Sequence, residues 1–170
     1  PLGQRGLTMM RLLSSTMGLV NAAGGESTAA NCAYVIYFAR GVGDDGTPFL
    51  MSDGVGVGYG ARPYADGINA VYYVAQENYP AEMMEQTYPA RLRAYGIHCD
   101  SGGPGRWRGG CGVIREIELL AEEATFAIRI DGVQKPAWGV KGGQNGGAGR
   151  AVLNPGTPQE RELDPFSDGN

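Results

Sequence analysis

Histidine is nearly missing from this chain: His98 is the only one among 170 residues. A metal centre built on three histidines is therefore excluded within it, and no metal site is expected in these residues. Cysteine is scarce as well. Cys32, Cys99 and Cys111 form no C-x-x-C pair, and their odd number closes no disulfide framework, so a reducing, cytoplasmic setting is the expectation. Positive charge is in deficit. A formal net charge of −4 and a pI near 5.0 exclude the basic footprint that nucleic-acid binding requires, although local groups can still hold small anions. Long apolar runs are absent too: Met9 to Val20 is interrupted by Arg11, Ser14, Ser15 and Thr16. No stretch reaches the roughly 20 residues of a membrane helix, and none has the order of regions that marks a signal peptide.

What the chain has is glycine. It carries 29, where average usage of about 7% would give about 12. With 42% hydrophobic residues and no collagen-like period, this describes a loop-rich, tightly turned fold rather than disorder. Length fits one domain, or part of one, over residues 1–170. The chain opens on Pro1 and stops at Asp168-Gly169-Asn170 without an evident closing element, so it is expected to belong to a longer polypeptide.

The elements read as α+β, β-rich and largely antiparallel. Met9, Leu13, Met17 and Val20 follow a helical period from Thr8 to Ala23, stopped by Gly24-Gly25, and are expected to face the core. Cys32 to Arg40 reads as a strand. It runs into Gly41-Val42-Gly43-Asp44-Asp45-Gly46, a literal G-x-G-x-x-G, but Thr47 to Met51 continues as strand, and two aspartates would repel phosphate. The expectation there is a hairpin turn rather than a nucleotide site. Ile68 to Gln76 reads as strand. A short helix should start at Pro80 and end before Pro89. Val113 to Leu120 and Thr125 to Asp131 suggest a hairpin around Ala121-Glu122-Glu123, with Phe126, Ile128 and Ile130 on one face. Residues 154–170 are polar and proline-rich, expected as surface or linker.

Chemistry-bearing residues collect around three glycine-rich loops. In the first, glycines at 54, 56, 58 and 60 alternate, leaving one face of an extended segment bare, so that another segment or a ligand could lie against it. Arg62 and Asp66 beside it are expected to form a fixing salt bridge rather than a catalytic pair. Glu82 and Glu85 share a helix face and could work as acid and base or hold a metal; a pair that is solvated or answers the nearby Arg91 and Arg93 is the preferred reading. The second loop, Asp100 to Gly112, places Arg106 and Arg108 among six glycines. With Gly102 and Gly103, these could hold an anion or clamp a neighbouring segment. His98, Asp100 and Ser101 lie close in sequence, but His98 and Asp100 would share one face of a strand while Ser101 faces the other, and no G-x-S-x-G elbow is present. The third loop runs from Pro136 to Gly147.

Taken in order, Gly58-Tyr59-Gly60-Ala61-Arg62-Pro63 with Asp66-Gly67, Asn78-Tyr79-Pro80 with Glu82 and Glu85, Asp100-Ser101-Gly102-Gly103-Pro104-Gly105-Arg106-Trp107-Arg108-Gly109-Gly110, and Gly139 with Gly142-Gly143 resemble the B-type component of the hydantoinase/oxoprolinase family. The resemblance implies part of an ATP-dependent cyclic-amide hydrolase, of N-methylhydantoinase or 5-oxoprolinase type. Ketone carboxylases acting on acetone or acetophenone share its parts and give an alternative; a non-catalytic assembly module is another. It implies an A-type partner that uses ATP and Mg, and a small cyclic-amide or ketone substrate. The family's B-type chains are several times longer, and a divalent metal would belong to their earlier part. The chain thus resembles the C-terminal region of such a component, inactive alone, with Arg62, Asp66, Glu82, Glu85, Asp100 and Ser101 as catalytic candidates and Arg106, Arg108, Gly102 and Gly103 as anion-binding ones.

Overall fold

A computed structural model describes residues 5–31, 35–72 and 77–169. Two layers enclose the core. The larger is a four-stranded antiparallel sheet in the order β2-β1-β5-β8, with β1 Val35–Val42, β2 Pro48–Gly54, β5 Ala124–Ile130 and β8 Phe166–Gly169. Facing it is the antiparallel pair β3 Ala90–Ile97 and β4 Val113–Leu119, preceded by the short helix α2 Ala81–Thr87. A third, two-residue pairing joins β6 Val152–Leu153 to β7 Arg161–Glu162. The α+β, antiparallel class is as expected.

Alternation decides which residues fill the space between the layers. Tyr37 and Ala39 from β1, Met51 from β2, and Ile128 and Ile130 from β5 are buried with Met84 and Ala90, while Leu92, Ile117, Leu119 and Phe126 pack around them. The Phe126, Ile128, Ile130 face is thus core as predicted. The hairpin expected between residues 113–120 and 125–131 does not form. β4 pairs with β3 and β5 pairs with β1, so the Ala121-Glu122-Glu123 link crosses between layers and sets both apolar faces toward one core.

The turn after β1 is the expected hairpin. Gly43 N–H donates to Thr47 O at 2.9 Å, Gly46 has φ of 79°, and Asp45 accepts from Thr47 N and Oγ1, which lowers its carboxyl from the ordinary value. The short helix starts after Pro80 and ends before Pro89 as read. The start of the strand expected from Cys32, and residues 73–76 of the one expected from Ile68, lie outside the described residues. Residues 68–72 are not a strand: only Val71 bridges Val57, and Ala70 with φ of 53° breaks the extended path. The tail expected as surface or linker does more, since β8 adds a fourth strand to the main sheet.

The first helix, α1 Arg5–Ala22, forms but is turned the other way. Its inward side carries Met10, Ser14, Met17, Gly18 and Asn21, whereas Met9, Leu12, Leu13, Leu19 and Val20 are exposed. Polar anchoring overrides the apolar stripe. Arg11 bonds Asn31 O and pairs with Asp131, each with one contact under 3 Å, and Asn21 bonds Thr28 O and accepts from Ser27 N. Gly18 lets the Trp138 indole lie against the helix backbone. The outward residues recur at helical spacing, so the apolar stripe is intact but faces away from this core.

Candidate functional site: interlocked glycine loops

The first two glycine loops meet each other. Tyr59 N donates to Ile68 O, Gly110 N to Tyr59 O, Gly67 N to Arg108 O, and Ala70 N to Cys111 O, at 3.0, 2.8, 2.7 and 2.9 Å. A Cβ on Gly58 would collide with the Gly110 carbonyl, and one on Gly102 with the Gly109 carbonyl. The bare face foreseen for the alternating glycines is therefore occupied by polypeptide, so the ligand alternative does not hold at those positions. The third loop joins through Gln144 N to Pro104 O and Gly147 N to Ser101 O.

Side chains complete the lock. Asp66 Oδ1 accepts from Arg108 N at 2.8 Å, Asn69 Oδ1 from Cys111 N at 2.8 Å, and buried Asn31 Oδ1 from Gly60 N at 2.7 Å. The Arg62–Asp66 salt bridge is corrected to a bond with the backbone. Arg62 donates through Nε and a terminal nitrogen to the Asp66 carbonyl, which leaves the carboxylate for the other loop.

Ser101 and His98 come together without making a triad. Ser101 Oγ donates to His98 O and accepts from Gly112 N, so the hydroxyl serves the backbone and only the His98 carbonyl takes part. Asp100 is exposed, with φ of 59°, in the turn that opens the loop. Glu82 is exposed, and Glu85 Oε1 accepts from Leu92 N. Both glutamates are exposed, in line with the solvated alternative; Arg91 and Arg93 pair with Glu118 instead, because register sets Arg91 opposite Glu118.

Of the four anion candidates, three are committed to the lock. Gly102 and Gly103 pack on backbone, and Arg108 donates to Cys111 Sγ at 2.9 Å. Burial opposes ionisation of that thiol, but the Gly102 amide, the Arg108 guanidinium and the Ser101 hydroxyl together hold Cys111 below its ordinary value. Arg106 alone of the four projects outward, laid over the Trp107 ring.

One polar cluster escaped the sequence reading. Arg115 pairs with Asp53 at 2.7 Å, with side chains 4% and 13% exposed, and lies near the Tyr37 and Tyr95 rings. Tyr37 OH donates to the same carboxylate at 3.3 Å. Burial, offset in part by Arg115 and reinforced by Asp53, holds the phenol above its ordinary value. This cluster bolts the two layers together. The only available signal was alternation in β4, which puts Arg115 in line with the core residues Ile117 and Leu119.

These loops and layers line a cleft of about 1560 Å³, to which Tyr37, Arg62, Arg106, Arg115 and Trp138 contribute. Among the described residues, no three His, Cys, Asp or Glu side chains converge as a metal site would require, and no helix is long and apolar enough to cross a membrane. The fold and site define a β-rich, glycine-locked segment whose polar side chains mostly hold backbone. Over residues 1–167 the chain matches the Hydantoinase B/oxoprolinase family, and it belongs to that family.

Similar proteins include one named as the B component of a D-/L-hydantoinase in Pseudomonas sp. (strain NS671), 40% identical over 93 residues, or 54% of this chain and 16% of that protein. 5-Oxoprolinase 1 of Arabidopsis thaliana is 35% identical over 113 residues, covering 65% and 9% of the two chains. The beta chain of the Pseudomonas jessenii caprolactamase is 38% identical over 64 residues, 38% of this chain and 11% of that one. An acetone carboxylase solved without nucleotide shares the fold, with a TM-score of 0.60 and 21% identity over 74% of this chain and 17% of its own. The matched part thus spans no more than about a sixth of these relatives.

Proposed function

We propose that the chain forms part of the B-type subunit of an ATP-dependent cyclic-amide hydrolase, of the N-methylhydantoinase or 5-oxoprolinase type. In this reading the segment makes the wall of a site whose chemical groups come from elsewhere. The observation that carries the wall role is the engagement of Ser101, Asp66, Arg108 and Glu85 with backbone or buried sulfur, which takes these candidates out of an acid, base and nucleophile set among the described residues. In this reading ATP and Mg belong to an A-type partner and a divalent metal to another part of the subunit; among the described residues no three His, Cys, Asp or Glu side chains converge. Of the four anion candidates, Arg106 alone stays exposed, at the edge of such a site.

The complete B-type subunit, mixed with its A-type partner, ATP and a panel of hydantoins, 5-oxoproline and lactams, should release phosphate and open the ring in a substrate-dependent way. Silence across the panel would count against the hydrolase. Incorporation of labelled bicarbonate into acetone or acetophenone would replace it with the ketone carboxylase.

A further inference from the structure

Two guanidinium groups on adjoining loops each lie over an aromatic ring at the rim of the cleft. Arg62 sits 5.6 Å from the Tyr64 centroid and Arg106 5.9 Å from the Trp107 centroid. The loops are tied here by Trp107 Nε1 donating to Pro63 O at 3.0 Å. Tyr64 is 72% and Trp107 37% exposed, so each cation has an accessible ring beside it. Arg62 spends Nε and one terminal nitrogen on the Asp66 carbonyl and keeps its other terminal nitrogen, whereas among the described residues no hydrogen bond or ion pair engages the Arg106 guanidinium, whose N–H edge can meet a planar oxygen pair. The carboxylates of these loops do not answer it: Asp66 is turned to the Arg108 amide, and Asp100 lies in the opening turn. A chain of net charge −4 thus presents a locally cationic, aromatic edge.

We propose that Arg62, Tyr64, Arg106 and Trp107 form one docking patch for a carboxylate-bearing polypeptide segment of the same B-type subunit, outside these 170 residues. The inference rests on the reading of the chain as part of such a subunit. Charge complementarity selects an acidic occupant. Size selects polypeptide, because the adjoining cleft of about 1560 Å³ exceeds the range of roughly 300–1,000 Å³ usual for small-molecule sites. Composition agrees, since Arg, Trp and Tyr dominate the energetic centres of protein interfaces. The relatives supply the length, being at least about six times longer than the part matched.

The test uses the complete B-type subunit. Phenylglyoxal, which modifies accessible guanidinium groups, should label Arg106 at least tenfold more slowly in the native subunit than after urea unfolding, in buffer free of phosphate and carboxylate; Arg62, already bonded to the Asp66 carbonyl, is not used as the reporter. The R62E/R106E variant should then raise amide hydrogen exchange in an Asp/Glu-containing peptide outside these residues, and R62K/R106K should raise it less. Fast labelling in the native subunit overturns the proposal. Labelling slowed only by added phosphate or acetate identifies a small-anion site and overturns it as well. Protection that appears only on adding the A-type partner assigns the patch to that partner instead. The hydrolase reading is separable, because a protein inactive on every cyclic amide can still show the protection and the exchange response.

Discussion

A single methyl group distinguishes the glycines that hold this structure from those that merely occur in it. At Gly58 and Gly102 the space beyond Cα is already filled by the carbonyls of Gly110 and Gly109, so alanine must force two backbones apart. Each substitution should destabilise the complete subunit by about 3 kcal/mol or more in urea unfolding. Gly96 has open space around it, and Gly96→Ala should be neutral or stabilising by up to about 1 kcal/mol. The same loops set the Cys111 thiol. In a Cys32→Ser, Cys99→Ser background its thiolate absorbance near 240 nm should titrate below the ordinary thiol value of about 8.5, and Arg108→Met should move the midpoint up. Because the folded value is the depressed one, the stability this group contributes is complete above about pH 8.5. It is lost as the pH falls through the folded value.

Among the elements, β4 and α1 show where pattern reading succeeds and where it fails. Strands β1 and β5 and helix α2 were legible because alternation, or a bounding proline pair, leaves one physical solution. Pairing was less so. Nothing local in Val113 to Leu119 says that its neighbour is Ala90 to Ile97 rather than the next strand, since both partners offer the same apolar face. Arg115 in β4 was not singled out, although alternation sets it in line with Ile117 and Leu119, and it is the buried half of a layer-to-layer ion pair. Arg115→Met should cost about 3–5 kcal/mol by stranding Asp53, and Arg115→Met with Asp53→Leu should cost less than the single change, both read from chemical unfolding. For α1 the apolar stripe was seen, but its direction was not, because Arg11 and Asn21 anchor the opposite side. Expressed alone, the 170-residue chain should therefore self-associate through Leu12 and Leu19. Light scattering should show Leu12→Glu with Leu19→Lys reducing that association.

At the scale of the molecule, the family was readable from four glycine-rich stretches taken together in order and spacing, whereas the roles of individual residues were not. A sequence shows that Ser101, Asp66 and Arg108 are capable of chemistry; only the paired backbone shows that they are already engaged. The interlocking of those loops also dictates when they can form. Gly58 must meet Gly110, Gly103 must meet Gln144, and Gly60 must meet Ala29, contacts that join distant parts of the chain and gain little until all are made. The β1–β2 hairpin can close early on local pairing, while the lock is left to the end of folding and closes as one event. Refolding should then be slow relative to hairpin formation, and a newly made chain should stay open to proteases between Gly54 and Gly67 until residues as far along as Gln144 have arrived.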